Sequence, residues 1–218
     1  MRQLQRRVFN GWPLFWLIAV LTFAAMGLGY WVIGVSTPEA AVNMIRLSVQ
    51  LASPWVFLAF VATPMTQLFP GKLSNWLLRN RRYLGLSFAA GFGWQAVFIA
   101  VLLTLHNAYY WEELHNDLDL LLRMASYALL FALTLTSFFP VRRKMHPKHW
   151  RWLHLLGIWY FWAAIWVSYA EQALSPSPQI IWVLYAIFGL IALMLRLAAF
   201  SKMRILYRAE KGRNPELG

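Results

Sequence analysis

The side chains able to do chemistry are few in this chain, and most sit in polar company. Of five histidines, His106 and His115 fall in the acidic stretch "HNAYYWEELHNDLD" (106–119), where a solvated imidazole is the ordinary expectation. His146 and His149 fall among cationic neighbours in "FPVRRKMHPKHWR" (139–151), a poor place for a cation site. Only His154 stands inside an apolar run, one turn before Gly157. Imidazole is the usual axial ligand of haem iron, and a glycine one turn on leaves room for a flat ring. The other reading is an interfacial histidine beside Trp150 and Trp152, in the aromatic belt that forms where a helix meets the membrane surface. There is no cysteine, which excludes disulfides, iron–sulfur ligation and thiol catalysis.

The remaining polar groups in apolar surroundings are Gln50, Gln95, Thr134, Thr136 and Ser168. The hydroxyls have a local outlet, since Ser and Thr can bond the carbonyl four residues back on their own helix. A glutamine has no such outlet for both ends of its amide. Gln50 and Gln95 are therefore expected to reach a neighbouring helix, as interhelical bonds or as contacts to a cofactor or quinone. No Gly-rich dinucleotide fingerprint and no phosphate-binding loop is present, so no flavin or nicotinamide site is expected.

These residues must be positioned by membrane-crossing helices. Of the 218 residues 60% are hydrophobic and only 13% charged, against roughly 25% charged in soluble proteins. Hydropathy predicts an all-α membrane protein with six spans, at 12–34, 43–64, 83–105, 120–139, 150–171 and 179–200, each matched to a hydrocarbon core about 30 Å thick. The breaks between them are a turn at "STPEA" (36–40), a polar loop "FPGKLSNWLLRNRR" (69–82), the acidic and basic stretches already quoted, and a stiff "SPSP" turn (175–178). The first apolar run is too long for a signal peptide and lacks a cleavage pattern, so it reads as a retained helix.

The net charge of +12 is spread in a way that excludes nucleic acid. Arg2, Arg6, Arg7, the arginines at 79–82, the 142–151 cluster and the residues after 201 alternate with loops that carry Glu39, Glu112, Glu113, Asp117, Asp119 and Glu171. By the positive-inside rule both termini are cytoplasmic, and the basic residues are topology signals that meet anionic lipid. The third span carries Gly85, Ala89 and Gly93 at four-residue spacing, a close-packing face of the small-xxx-small kind. The fifth carries Trp159, Tyr160, Phe161, Trp162 and Trp166, as though something bulky were packed, or replaced, by rings.

"FVATPMTQL" (60–68), "RRYLGL" (81–86), "LTLTSFFPVRRKMHPKHWRWLHLLGIWYFW" (133–162) and "LSPSPQIIWVLYAIFGLIALMLR" (174–196) together resemble the ferric reductase-like transmembrane family. The branch most similar is that of the haem-binding membrane subunits of bacterial methionine sulfoxide reductase systems. The resemblance implies one transmembrane domain over 1–218, with short cytoplasmic tails at 1–11 and 201–218. It implies a six-helix bundle in the bacterial inner membrane, with both termini inside and haem b between the third and fifth helices. Electrons would pass from a quinol or protein donor to a periplasmic partner. No independent catalytic motif accompanies it, so the chain is expected to be at most an electron-transfer subunit of an oxidoreductase. In that family a histidine is expected ten residues after the glycine of "LGL", where this chain has Gln95. A second is expected in "KHWxxLH", where His154 is present, and a third thirteen residues beyond, where Val167 stands. A carboxamide is a poor iron ligand and valine has no donor, so His154 alone is retained. The alternative to an altered haem carrier is a haem-less accessory or assembly subunit, in which Gln95 would bond a neighbouring helix.

Overall fold

The computed structural model describes residues 9–213, with side chains through Arg208. Residues 1–8 and 214–218 of the expected tails lie outside the described residues. Six helices are long and apolar enough to cross a membrane: α1 (Trp12–Ile33), α2 (Pro38–Leu68), α3 (Lys72–Leu105), α4 (Asp117–Thr136), α5 (Pro147–Ala173) and α6 (Ile180–Arg213). No strand occurs among the described residues. The protein is all-α, as composition predicts.

Helix ends follow local chemistry. Gly11 and Gly34 flank α1 at φ 69° and 72°, backbone that side-chain-bearing residues rarely adopt. The Gly34 N–H donates to the Tyr30 carbonyl at 2.9 Å and closes the helix. Thr37 Oγ1 accepts from the Ala40 N–H at 3.2 Å ahead of α2, and Asn116 Oδ1 accepts from the Leu118 N–H at 3.0 Å to cap α4.

Three of the expected loops are more helical than hydropathy indicated. The polar stretch 69–82 is helix from Lys72 onward. It has no Pro or Gly after Gly71, and it buries Ser74, Leu77 and Asn80 at three-residue intervals. The basic stretch holds a short helix, Phe139–Lys144, and joins α5 at Pro147. The acidic stretch holds a short helix at Asn107–Tyr109 and a π-helical turn at Tyr110–Leu114. The last helix continues past residue 200 into the expected tail.

Two compact units divide the chain. Residues up to Val56 together with Arg82–Trp159 form the first, and Phe57–Arg81 together with Tyr160 onward form the second. In the first, Met26, Met44 and Phe98 form one buried cluster and Ala41, Leu102 and Tyr110 another. Glycines permit the close approaches there: a Cβ on Gly29 would run into Leu47, and one on Gly91 would lie 2.7 Å from Ala52 Cβ. In the second, Trp162 is the centre of a ring stack, 5.1 Å from Phe60 and 5.3 Å from Trp166, nearly coplanar with both. The two indoles donate to the Gly189 and Ala186 carbonyls of α6, each at 3.0 Å. Indole N–H groups in hydrocarbon need such partners. Part of the aromatic run of the fifth span is thereby accounted for as packing between α5, α6 and the end of α2.

Candidate functional site

Helix α4 organises the candidate residues of the first unit. The Tyr127 hydroxyl donates to Gln95 Oε1 of α3 at 2.9 Å. Nine residues further along α4, Thr136 Oγ1 lies 3.0 Å from His154 Nε2 of α5. At 100° and 1.5 Å per residue, nine residues are half a turn out of phase and about 13 Å apart. The amide and the imidazole thus bond roughly opposite faces of α4, at different depths.

His154 is held by Thr136 and Trp150. Thr136 Oγ1 lies 2.7 Å from the Ala132 carbonyl and 3.0 Å from His154 Nε2. The Trp150 ring lies 4.5 Å from the imidazole, and its indole N–H donates to the Thr136 carbonyl at 3.0 Å. Arg142 in turn lies over the Trp150 ring at 4.2 Å. Gly157 does not open a slot for a flat ring. A Cβ there would run into Leu133 of α4, so the glycine serves a helix–helix approach.

The other candidates are placed as follows. Thr134 donates to the Leu130 carbonyl at 2.8 Å, the expected bond to its own helix. Gln50 is partly buried on α2. Val167 is 45% exposed. His106, expected in solvent, donates through Nε2 to the Val35 carbonyl at 2.9 Å. His115 meets Asp117 at 3.0 Å and Trp111 ring to ring at 4.3 Å. The rings of His146 and His149 are 5.4 Å apart on the basic segment. No group of three or more His, Cys, Asp or Glu able to hold a metal ion occurs among the described residues.

The small-residue stripe of α3 is not a packing face. A Cβ on Gly85 or Gly93 would meet nothing within 4 Å. Ala89, Gly93 and Ala96 instead floor a groove of about 720 Å³, walled by aromatic side chains of α1 and α4. The glycine that does pack is Gly91, on the opposite side of the helix. Residues that hydropathy does not single out matter here: Tyr127, the partner of Gln95, and Arg82, whose guanidinium lies 5.4–5.8 Å from four rings, Trp12, Tyr83, Phe138 and Phe139. In the second unit Arg196 donates to the Phe60 carbonyl at 3.0 Å and covers the Phe60 ring at 4.3 Å.

An iron held between two imidazoles does not fit these positions. The oxygen of Gln95 already accepts a hydrogen bond, Val167 has no donor atom, and His154 Nε2 is engaged by the Thr136 hydroxyl.

No family model matches the chain, and no solved structure does. One curated protein is similar over nearly the whole length: the protein-methionine-sulfoxide reductase haem-binding subunit MsrQ of Cronobacter sakazakii. It is 29% identical over 208 residues, which cover 88% of this chain and 95% of that protein. The chain is therefore a multi-pass membrane protein similar to a subunit named for haem binding.

Proposed function

We propose that this chain is an integral membrane subunit built on the plan of b-haem electron-transfer subunits, with its ligand set replaced. In this reading it serves a membrane redox complex as a haem-less accessory or assembly subunit. The bond from Tyr127 to Gln95 at 2.9 Å carries the reading. The glutamine stands where the family resemblance expects a ligand, and its amide oxygen is taken up by a neighbouring helix rather than left facing a gap. The similarity to a subunit named for haem binding supports the architecture and the setting: a bacterial inner membrane, termini on the cytoplasmic side, and a periplasmic protein partner.

A second reading rests on His154. It is the one retained histidine of the expected set, and rotation of Thr136 would free its Nε2 to hold a haem from one side. A quinol or protein donor would then supply electrons. A pyridine haemochrome spectrum of the detergent-purified protein separates the two readings. No b-type bands are expected. Stoichiometric bands that vanish in His154→Ala but persist in His106→Ala and His115→Ala would overturn the first reading and establish the second.

A further inference from the structure

The groove between α1, α3 and α4 has a consistent chemistry along its length. Leu86, Ala89, Gly93 and Ala96 line its α3 side, and Arg82 stands on the same stripe. Residues 82, 86, 89, 93 and 96 follow a 4-3-4-3 spacing, and seven residues return to within about 20° of the same face. From Leu86 to Ala96 the groove runs along about 15 Å of helix. Arg82 lies at the end where α1 begins and α4 stops, beside Trp12 and Phe138, which both line the groove. Its Nε is buried and has no hydrogen-bond partner. Among the described residues no carboxylate pairs with it.

The hydroxyls of the interior are taken. The Tyr127 hydroxyl donates to Gln95 and the Thr134 hydroxyl to the Leu130 carbonyl. The indoles of Trp12 and Trp16 also line the groove, both in the first turns of α1 at the Arg82 end, so deeper along it a quinone ring finds no hydroxyl free to donate. A methylene chain needs none. Arg82 is a cation without a carboxylate partner among the described residues, at the end of the groove where α1 begins and α4 stops and where a lipid phosphate would lie.

We propose that this groove holds an acyl chain of an anionic phospholipid whose phosphate is bound by Arg82. The surrounding rings take the glycerol end of the chain, and the absence of a Cβ at position 93 gives the hydrocarbon its depth.

The test uses the full chain, delipidated in detergent and then offered equal phosphatidylglycerol and phosphatidylcholine, with bound lipid read by native mass spectrometry. Wild type is expected to retain phosphatidylglycerol in preference to phosphatidylcholine. Arg82→Gln should lower that preference about fivefold, the effect of one cation near a charged headgroup layer, and Arg82→Lys should keep it. Gly93→Leu, which has open space for its side chain, should lower retention of both lipids with circular dichroism unchanged. Unaltered preference in Arg82→Gln, unaltered retention in Gly93→Leu, or displacement of phosphatidylglycerol by an equal amount of ubiquinone would overturn the proposal. Should Gly93→Leu fail to fold, a diazirine on the phosphatidylglycerol acyl chain should label wild-type peptides spanning 12–16 and 86–96. Labelling confined to other peptides would equally overturn it.

Discussion

The hydroxyl of Tyr127 donates to Gln95 Oε1 across the α3–α4 interface at 2.9 Å, so the amide within the third span is part of the bond between two helices. In hydrocarbon an unpaired amide is costly, and this requirement alone makes a partner necessary. Tyr127→Phe removes the donor. Equilibrium unfolding in mixed detergent should show a loss of about 0.6–1.7 kcal/mol, from the average to the maximum found for interhelical bonds. Gln95→Leu combined with Tyr127→Phe should cost less than the two single losses added together. Strict additivity would mean that the two side chains are not coupled.

The pairing of His154 with Thr136 makes a parallel case at the other face of α4. Thr136→Val withdraws the hydroxyl that bonds Nε2, and His154→Ala withdraws the imidazole. Each single change should destabilise, and a double-mutant cycle should return a coupling of about 0.5–1.5 kcal/mol. A coupling near zero would mean that the imidazole has another partner of equal strength.

Much of this was legible in the sequence, for identifiable reasons. The first span was expected at 12–34 and the helix runs Trp12–Ile33, because Pro13 and two glycines mark its ends. The back-bonding of Thr134 and Thr136 and the interhelical bond of Gln95 follow from what hydrocarbon demands of polar groups. The identity of the partner did not, because the register of α3 against α4 is written in no single stretch. The helix at 72–82 was hidden because hydropathy measures the solvent of a segment and not its backbone. Gly157 next to His154 read equally as space for a ring or space for a neighbour, and Leu133 decides it.

Orientation rests on the Lys and Arg distribution, which biases insertion at both ends and between spans alike. A fluorescent protein fused after Gly218 should fold and fluoresce in bacterial cells, whereas alkaline phosphatase inserted at Ser36 or Ser175 should be active. An active phosphatase after Gly218 would reverse the topology and place the basic segment 139–151 outside.

The glycines of α3 give the sharpest contrast, because two readings of one helix predict opposite orders. If Gly85, Ala89 and Gly93 formed a packing face, enlarging them would push helices apart. In the structure a Cβ at Gly85 or Gly93 meets nothing within 4 Å, whereas one at Gly91 lies 2.7 Å from Ala52 Cβ and 3.2 Å from its Cα. The neighbour at Gly91 includes backbone and cannot swing aside. Gly91→Ala should therefore cost about 1–3 kcal/mol, the usual penalty for overpacking. Gly85→Ala should be neutral or stabilising by about 0.4–1 kcal/mol, since alanine restricts the unfolded chain without a clash. Thermal unfolding of the two variants in the same detergent decides the matter. A Gly85→Ala variant that melts below Gly91→Ala would restore the small-residue stripe as the packing face and remove the groove beside it.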